Sequence, residues 1–595
     1  MDIARYYYTL KYLKPVQLFG RLRHRLLSPT PSLAPAPPLR GPSGVWVAPA
    51  RRRPSMPAVG RCCFLNETHD INSPEIWNKQ GLEKLWLYNL HYFDDLNAAN
   101  AGERTAWHRP LLARWIAENP PAKGNGWDPY PTSLRSVNWV KWALAGNALE
   151  PEWRHSLAVQ TRWLAKRLET HLLGNHLFAN AKALVFAGLF FDGPEAAAWL
   201  ETGMRILARE IPEQVLADGG QFERSPMYHA LAVEDLLDLA NVATAYADAI
   251  PAQWRGFVAS WPETTERMRH WLAAMCHPDG EISFFNDAAM GIAPTPAELD
   301  AYARRLWPLR FNDTQGVPGS TRLTANMPAS LPSMDAGFRH PCRNDDDNLN
   351  STAYECTYLA DSGYVRVCWG EMVALLDVAP VGPDYLPGHA HADSLAFELS
   401  LGGRRVLVNS GTSRYGTGPE RSRQRGTDAH NTVVVNGRDS SEVWGGFRVA
   451  RRAKPFGLRI DKGEDRLTVA CAHDGYQHLP GRPVHRREWR FLPGAMEIVD
   501  TIEGRFHEAV GRLFLHPGLA WRTEGPNAAG SVEGMGETQL HWRVEGAQCR
   551  LAQSAYHPEF GLDEPNQGLE MQFSKPVCTV RLVWDGLDIK AFSCL

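Results

Sequence analysis

The chain has 595 residues, more than one ordinary domain holds, and its 44% hydrophobic and 22% charged residues are the balance of a soluble globular protein. Its 63 basic and 66 acidic residues leave a net charge of -3, so bulk charge gives no reason to propose a nucleic-acid partner. No apolar run approaches the ~18 residues that a bilayer span needs, and the ten cysteines include no Cys-x-x-Cys pair, so neither a zinc ribbon nor a redox motif is indicated.

Residues 6–27 mix apolar and basic side chains at helical spacing and predict one helix, whose Arg21, Arg23 and Arg25 face solvent, an acidic partner or a membrane surface. The first fifteen residues lack an uninterrupted apolar core followed by a small-residue cleavage site, so cytoplasmic placement is the expectation from sequence. Residues 28–57, with Pro35, Pro37 and Pro38 among many prolines, read as a strap, and 1–73 as a helix-and-strap region.

Residues 74–335 read as all-helical. Trp77, Leu82, Leu85, Trp86, Leu90, Phe93 and Leu96 fall mostly at three- and four-residue steps. Further helices are predicted at 133–149, 151–172, 179–190, 196–215, 227–249, 252–277 and 297–306. Successive helices with short connections and no intervening strands predict a helical barrel or toroid. A polar stretch from Asn344 through Asn350 marks the boundary. Residues 336–595 then alternate with period two in short runs, predicting an antiparallel β-sandwich. Strands are expected at 364–368, 372–378, 394–401, 405–409, 432–435, 467–472, 486–492, 496–502, 511–516, 539–544 and 579–583. Gly402-Gly403 is the hairpin turn between the third and fourth of these. The groove between an all-α and an all-β half is the natural cleft.

Chemistry-bearing residues cluster in four places. His389 and His391 share one face of an extended segment, and with His430 they suit either a divalent metal or acid–base work on an anion. Arg135 and Asn138, one helical turn apart beside tryptophans, suit an anionic sugar. Asn175-His176 follows Gly174 at a predicted helix start, where amide donors favour an anion. Glu223, Tyr228 and His229 surround Pro226, a predicted first helical residue, where the helix dipole favours tyrosinate.

Asn175-His176, the segment Gly219-Gly220 to Tyr228-His229, His389-Ala390-His391-Ala392-Asp393-Ser394 and His430-Asn431-Thr432 together resemble the heparinase II/III-like polysaccharide lyases, a family that includes alginate and oligoalginate lyases. The resemblance covers residues 77 to 454 clearly and the rest of the β half loosely. It implies an incomplete (α/α) toroid followed by an antiparallel β-sandwich, and β-elimination of a uronic-acid polymer. In that scheme Asn175, with His176, neutralises the uronate carboxylate. Tyr228 acts as acid, and also as base in syn elimination, while His389 is the other base. Arg135, Asn138, Glu223, His229 and Tyr415 are expected to contact substrate, Tyr415 as a second tyrosine. Positive charge to activate Tyr228 is expected from His229, Arg224 or Arg135.

The resemblance also implies a structural zinc held by His391, a third ligand and His430. Asn409 stands where the family has Asp, and its uncharged carbonyl makes the implied zinc site weak. The implied partner is an anionic polysaccharide, connected with exopolysaccharide or envelope polymer metabolism, and secreted relatives make the periplasm the alternative location. Competing readings are a glycoside hydrolase using Glu223 with Asp287, and a polysaccharide-binding protein without activity.

Overall fold

The computed structural model describes residues 3–26, 29–308, 354–524 and 528–587. The helical half runs from Lys84–Tyr92 through Thr105–Glu118, Pro129–Leu144, Pro151–Lys166, Gly174–Phe190, Pro194–Gln214, Pro226–Ala245, Ala252–Ala259 and Trp261–Ala274 to Pro296–Leu306. Proline opens five of these helices, at positions 129, 151, 194, 226 and 296, where its missing N–H would have had no partner and its fixed φ suits the first turn. Gly174–Phe190 is apolar nearly all round and almost wholly buried, as a helix enclosed by neighbours must be. It packs on Pro194–Gln214 at close range: a Cβ on Gly188 would lie 2.6 Å from Leu200 N, and one on Gly203 2.8 Å from the Ala181 carbonyl oxygen. Tryptophans fill this half, with Trp77, Trp86, Trp115, Trp139, Trp142, Trp261 and Trp271 among the largest buried side chains.

The second half is antiparallel. Strands Tyr354–Leu359, Tyr364–Trp369, Met372–Asp377, Phe397–Leu401 and Arg404–Leu407 form a five-stranded meander. The turn at Gly402 and Gly403 has φ of 56° and 75°, the left-handed pair that a two-residue hairpin requires. An eight-stranded sheet is built around Val484–Leu492 and Ala495–Glu503. Their register pairs Trp489 with Ile498, and burial alternates along both strands. A four-stranded sheet joins Ala547–Tyr556, Glu564–Phe573, Ala509–Phe514 and Val433–Val435 in that order. One apolar interior, including Val367, Phe397, Val469, Trp489, Leu513 and Leu582, is shared by the three sheets.

The two halves are locked together. Trp271, Met275 and Phe285 pack against Leu359, Tyr364 and Leu375. The buried Arg366 guanidinium donates to the Ala274 carbonyl at 2.9 Å, satisfying the end of helix Trp261–Ala274. His277 Nε2 lies 2.7 Å from Glu398 Oε2.

The toroid-then-sandwich order predicted from periodicity is the observed one. Several boundaries differ, three of them for plain local reasons. The predicted helix 6–27 is two helices, Ile3–Leu10 and Pro15–Leu26, because Pro15 starts a new one. The predicted helix 252–277 breaks between Ala259 and Trp261, where Pro262 occupies the second position of a fresh helix. The helix predicted to begin at 179 begins at Gly174, so Asn175 and His176 sit in its first turn rather than before it. The predicted polar boundary at 344–350 lies outside the described residues.

Candidate active site

Two helix starts and one loop build the cleft. Helix Gly174–Phe190 is preceded by Leu173 at φ 65° and opens on Gly174 at φ 54°. No side chain caps this helix, so its first N–H groups and the Asn175 amide form an anion-receptive end. Glycine suits the left-handed φ of 54° at 174, and a Cβ there would press on the Leu386 side-chain end, Cδ2, at 2.4 Å. Helix Pro226–Ala245 is capped by Ser225, whose Oγ accepts the Tyr228 N–H at 3.2 Å. The loop 283–289, between helices Trp261–Ala274 and Pro296–Leu306, carries Asn286 and Asp287 and reaches the sandwich, where the Asp287 N–H donates to the His389 carbonyl at 2.9 Å. Two non-glycine residues here, Arg224 at φ 59° and Asn286 at φ 58°, hold left-handed backbone, and the Asn286 amide donates to the Arg224 carbonyl at 3.0 Å. Such strain is sustained only where surrounding contacts impose it.

At the centre, the phenolic oxygens of Tyr228 and Tyr415 are 2.8 Å apart. The His389 ring lies 3.8 Å from the Tyr228 ring, centroid to centroid, at 30°. His389 Nδ1 is 2.9 Å from Asp287 Oδ2, and His391 Nε2 is 2.8 Å from Asp287 Oδ1. Arg421 grips the same carboxylate with both terminal nitrogens, the second at 2.7 Å from Oδ2. Burial pushes the Asp287 carboxyl up, but Arg421 and the two histidines outweigh it and hold it well below the usual range. Asp287 is therefore an acceptor only. Each histidine must direct an N–H at it, which leaves His389 Nε2 and His391 Nδ1 with lone pairs when the rings are neutral. His389 Nε2 points toward Glu223 Oε2 at 3.7 Å. Glu223 is buried, that oxygen has no hydrogen-bond partner, and burial raises its carboxyl.

Asn175 and Tyr228 line a cavity of about 30 Å³ together with Tyr130, Gln221 and Asp235. His176 lies 4.5 Å from Tyr130 ring to ring, with its Nδ1 3.1 Å from Glu169 Oε1. Burial lowers the His176 pKa, but Glu169, and Glu223 more weakly, raise it further, favouring imidazolium.

Asn175, His176, Glu223, Tyr228, His389 and Tyr415 thus gather at the cleft as expected. Three expected substrate contacts do not. Arg135 is fully buried, stacked 3.8 Å over Trp115, and donates to Gln160 Oε1 at 2.8 Å and the Gly126 carbonyl at 2.8 Å. Asn138 ties its helix to the preceding segment, donating to the Tyr92 carbonyl at 2.9 Å and Asp94 Oδ1 at 2.7 Å. His229 is sealed in, with Nε2 2.8 Å from the Met268 carbonyl oxygen and Nδ1 accepting the Gln221 N–H at 3.1 Å.

The expected activation of Tyr228 also changes. Burial brings the His229 pKa to about 4, so that ring is neutral, and Arg224 turns away to the Ser362 carbonyl. Burial, then Tyr415 and Asp287, push the Tyr228 phenol well above its ordinary value despite the helix dipole. Tyr228 is a resting acid rather than a tyrosinate. The cation beside the phenols is Arg421, 4.9 Å over the Tyr415 ring. Sequence reasoning passed over it, although it stands in an arginine-rich helix, Pro419–Arg425, close after Tyr415.

Two members of the implied metal set meet, and a carboxylate joins them. His391 Nδ1 and His430 Nε2 face each other at 3.3 Å. The carboxylate that converges with them is Asp393, their ligand atoms lying within 4.8 Å of one another. Asn409 is engaged elsewhere, donating to the Phe284 carbonyl at 3.0 Å and accepting the Asn431 N–H at 3.2 Å. The donor set fits a zinc-type ion: Asp287 fixes His391 with Nδ1 free of its proton, burial keeps His430 neutral with a pKa of about 4, and Asp393 supplies the charge.

Fold and cleft together define a toroid–sandwich protein with proton-transfer groups at the junction of its two halves. Residues 104–307 match the family described as "Heparinase II/III N-terminus" and residues 353–585 match "Heparinase II/III-like, C-terminal". A "Heparin-sulfate lyase" of Bacteroides stercoris is 30% identical over 282 residues, 45% of this chain and 37% of that one. One of Pedobacter heparinus is 27% identical over 365 residues, 59% of this chain and 47% of that one. The match thus spans less than half the length of these two relatives. A crystal structure of heparinase III has the same fold, with a TM-score of 0.62 at 19% identity, covering 88% of this chain and 79% of that one. The chain belongs to the heparinase II/III-like family.

Proposed function

We propose that the protein is a polysaccharide lyase that cleaves a uronic-acid polymer by β-elimination. The observation that carries this reading is the stack of Tyr228 and His389, hydrogen-bonded to Tyr415 and Asp287 respectively, beside the open Asn175 amide. The C5 proton of a uronate is barely acidic until the adjacent carboxylate is neutralised. Asn175, the uncapped helix end behind it and the His176 imidazolium supply that neutralisation and stabilise the enolate-like intermediate. His389 Nε2, held by Asp287 with its lone pair toward the cleft, takes the C5 proton. The C4–O4 bond breaks, and Tyr228, protonated at rest, delivers its proton to the leaving oxygen. Tyr415 and Arg421 hold the phenol in place and offset the charge that develops on it. A syn route in which Tyr228 makes both transfers would first need an ionised phenol, which burial, Tyr415 and Asp287 oppose.

His391, Asp393 and His430 would hold a zinc ion. Bound there, it would brace the loop that carries His389 and leave the elimination to the residues above. Hydrolysis is disfavoured because Asp287, the ionised nucleophile or base that Glu223 would need as a partner, has both oxygens taken by Arg421 and two histidines. The named relatives make heparan-type polymers the first to test, with alginate and bacterial exopolysaccharides beside them. The experiment is incubation with a panel of glucuronate-, iduronate-, mannuronate- and guluronate-containing polymers. Ultraviolet-absorbing product on at least one is expected. A panel that yields reducing ends without that absorbance, or no product at all, would overturn the reading.

A further inference from the structure

The N-terminal helices are built inside out. Along Pro15–Leu26, the residues turned to the protein are polar or small. Gln17 is 1% exposed and donates to the Tyr385 carbonyl at 3.1 Å. Gly20 lies against His171, whose Cβ would be 2.8 Å from a Cβ at that position. His24 packs on the His171 ring at 4.4 Å and accepts Arg167 at its backbone carbonyl. The opposite face carries the apolar side chains. Phe19 is 72% and Leu26 69% exposed, with Leu18, Leu22 and Val16 exposed beside them. At 100° per residue these five fall on one arc, with Arg21 and Arg25 along one border and Arg23 near the other. The preceding helix, Ile3–Leu10, adds exposed Ile3, Tyr7 and Leu10.

Charge on this element is one-sided. Residues 3–26 hold Arg5, Lys11, Lys14, Arg21, Arg23 and Arg25 and no Asp or Glu, in a chain whose net charge is -3. A folded protein gains by hiding apolar side chains and showing polar ones, so a well-anchored helix with the reverse arrangement is made for an apolar surface outside the fold. The anchoring is extensive. Tyr6 packs on Trp444 at 5.1 Å, Trp444 Nε1 donates to Thr9, and Arg451 and Arg452 lie over the rings of Tyr8 and Tyr12.

We infer that Ile3–Leu26 docks this protein on an anionic lipid surface, with Phe19, Leu22 and Leu26 entering the acyl boundary and the flanking arginines reaching headgroup phosphates. A bilayer offers both requirements at once, an apolar layer beneath a plane of negative charge. The bordering arginines can lay their aliphatic stems along the apolar arc while their heads stay at the interface. The docked helix is tied to the cleft, since it bonds Tyr385, the residue before the Leu386 that packs on Gly174. This inference is independent of the reaction proposed above.

The test is co-sedimentation of the full chain with vesicles of phosphatidylcholine alone and of equal parts phosphatidylcholine and phosphatidylglycerol. Pelleting with the anionic vesicles, weakened by salt, and not with the neutral ones is expected. Phe19→Glu with Leu22→Glu should weaken it by about tenfold or more with an unchanged melting curve, since both positions are exposed. Arg21→Gln, Arg23→Gln and Arg25→Gln together should weaken it without touching the apolar arc. The inference is overturned if wild type stays in the supernatant with anionic vesicles, or pellets equally with neutral ones, or if the Phe19/Leu22 variant pellets unchanged. It is also overturned if the face proves to be covered by a second copy, seen as a dimer in solution that the Phe19/Leu22 variant dissociates while lipid has no effect.

Discussion

The hydroxyls of Tyr228 and Tyr415 are 2.8 Å apart across 187 residues of sequence, one phenol from the toroid and one from the sandwich. Each half of the chain therefore contributes one member of a shared proton-transfer pair, and the site exists only where the halves meet. With both phenols kept protonated by burial, Tyr228 is placed to give a proton before it takes one.

Tyr228→Phe is expected to lower turnover by about 10²–10⁴-fold, the usual cost of losing a positioned acid. The ring stack on His389 survives the change, so melting behaviour and polymer affinity should stay close to wild type. Wild-type rates in this variant, measured as initial velocity on the best polymer of the panel, would remove Tyr228 from the chemistry.

Asn175→Ala should reduce kcat more than it raises KM. The amide faces a carboxylate whose charge grows on the way to the enolate-like intermediate, so its contribution is larger in the transition state. Steady-state kinetics separates this from a residue that only binds sugar, for which KM alone would change.

Asp287→Asn should cost both activity and stability. It leaves the buried Arg421 guanidinium without its anion, and breaking such a pair from one side costs about 3–5 kcal/mol. It also removes the acceptor that sets the His389 tautomer. Arg421→Met with Asp287→Asn should regain part of the lost stability in chemical denaturation without regaining turnover. Recovery of both together would make Asp287 a structural residue only.

Metal content should follow Asp393 and not Asn409. Asp393→Asn is expected to lower zinc in elemental analysis and remove the melting-temperature increase that zinc produces, which follows RT ln(1 + [L]/Kd). Asn409→Asp should leave zinc unchanged and lower the melting temperature, because it removes the amide that donates to the Phe284 carbonyl. Chelation should lower stability and spare turnover in protein that remains folded.

Acid should loosen the strap from the toroid through Asp95. Burial raises this carboxyl, but His108, Arg104 and the Ser55 N–H bring it to about 2, below the 3.8 of an ordinary Asp. A folded pKa below the unfolded one means stability present above pH ~4 and lost as pH falls toward 2, about 2 kcal/mol in all. Asp95→Asn should flatten the wild-type fall in denaturation free energy over that window, and an equally steep fall in the variant would assign it to other groups.

The order of toroid and sandwich was legible in the sequence because both follow from local periodicity, 3.6 in residues 84–306 and two in strands such as Val484–Leu492. The cleft was legible through residues that interrupt those patterns: Asn175 in a helix start, Tyr228 after Pro226, and the His389 and His391 pair. What was not legible was partnership. Asp287 looked like a hydrolase carboxylate until Arg421, 134 residues away, took both its oxygens. Arg135 looked like a sugar contact because it follows Trp127, yet Trp115 and a ring of acceptors enclose it. Asn409 held the family's ligand position in sequence, while Asp393, two residues from His391, converges with the histidines in space. Periodicity likewise announced a helix near Pro15–Leu26 but not that its apolar face would look outward.

The account stands most directly on the stoichiometry of new chain ends. For each reducing end released from the best uronate polymer, β-elimination predicts one C4–C5 unsaturated uronate at the other side of the break, counted by its ultraviolet absorbance, with both products slowed together by about 10²–10⁴-fold in Tyr228→Phe. Reducing ends that accumulate without unsaturated partners would contradict the account and place hydrolysis in this cleft.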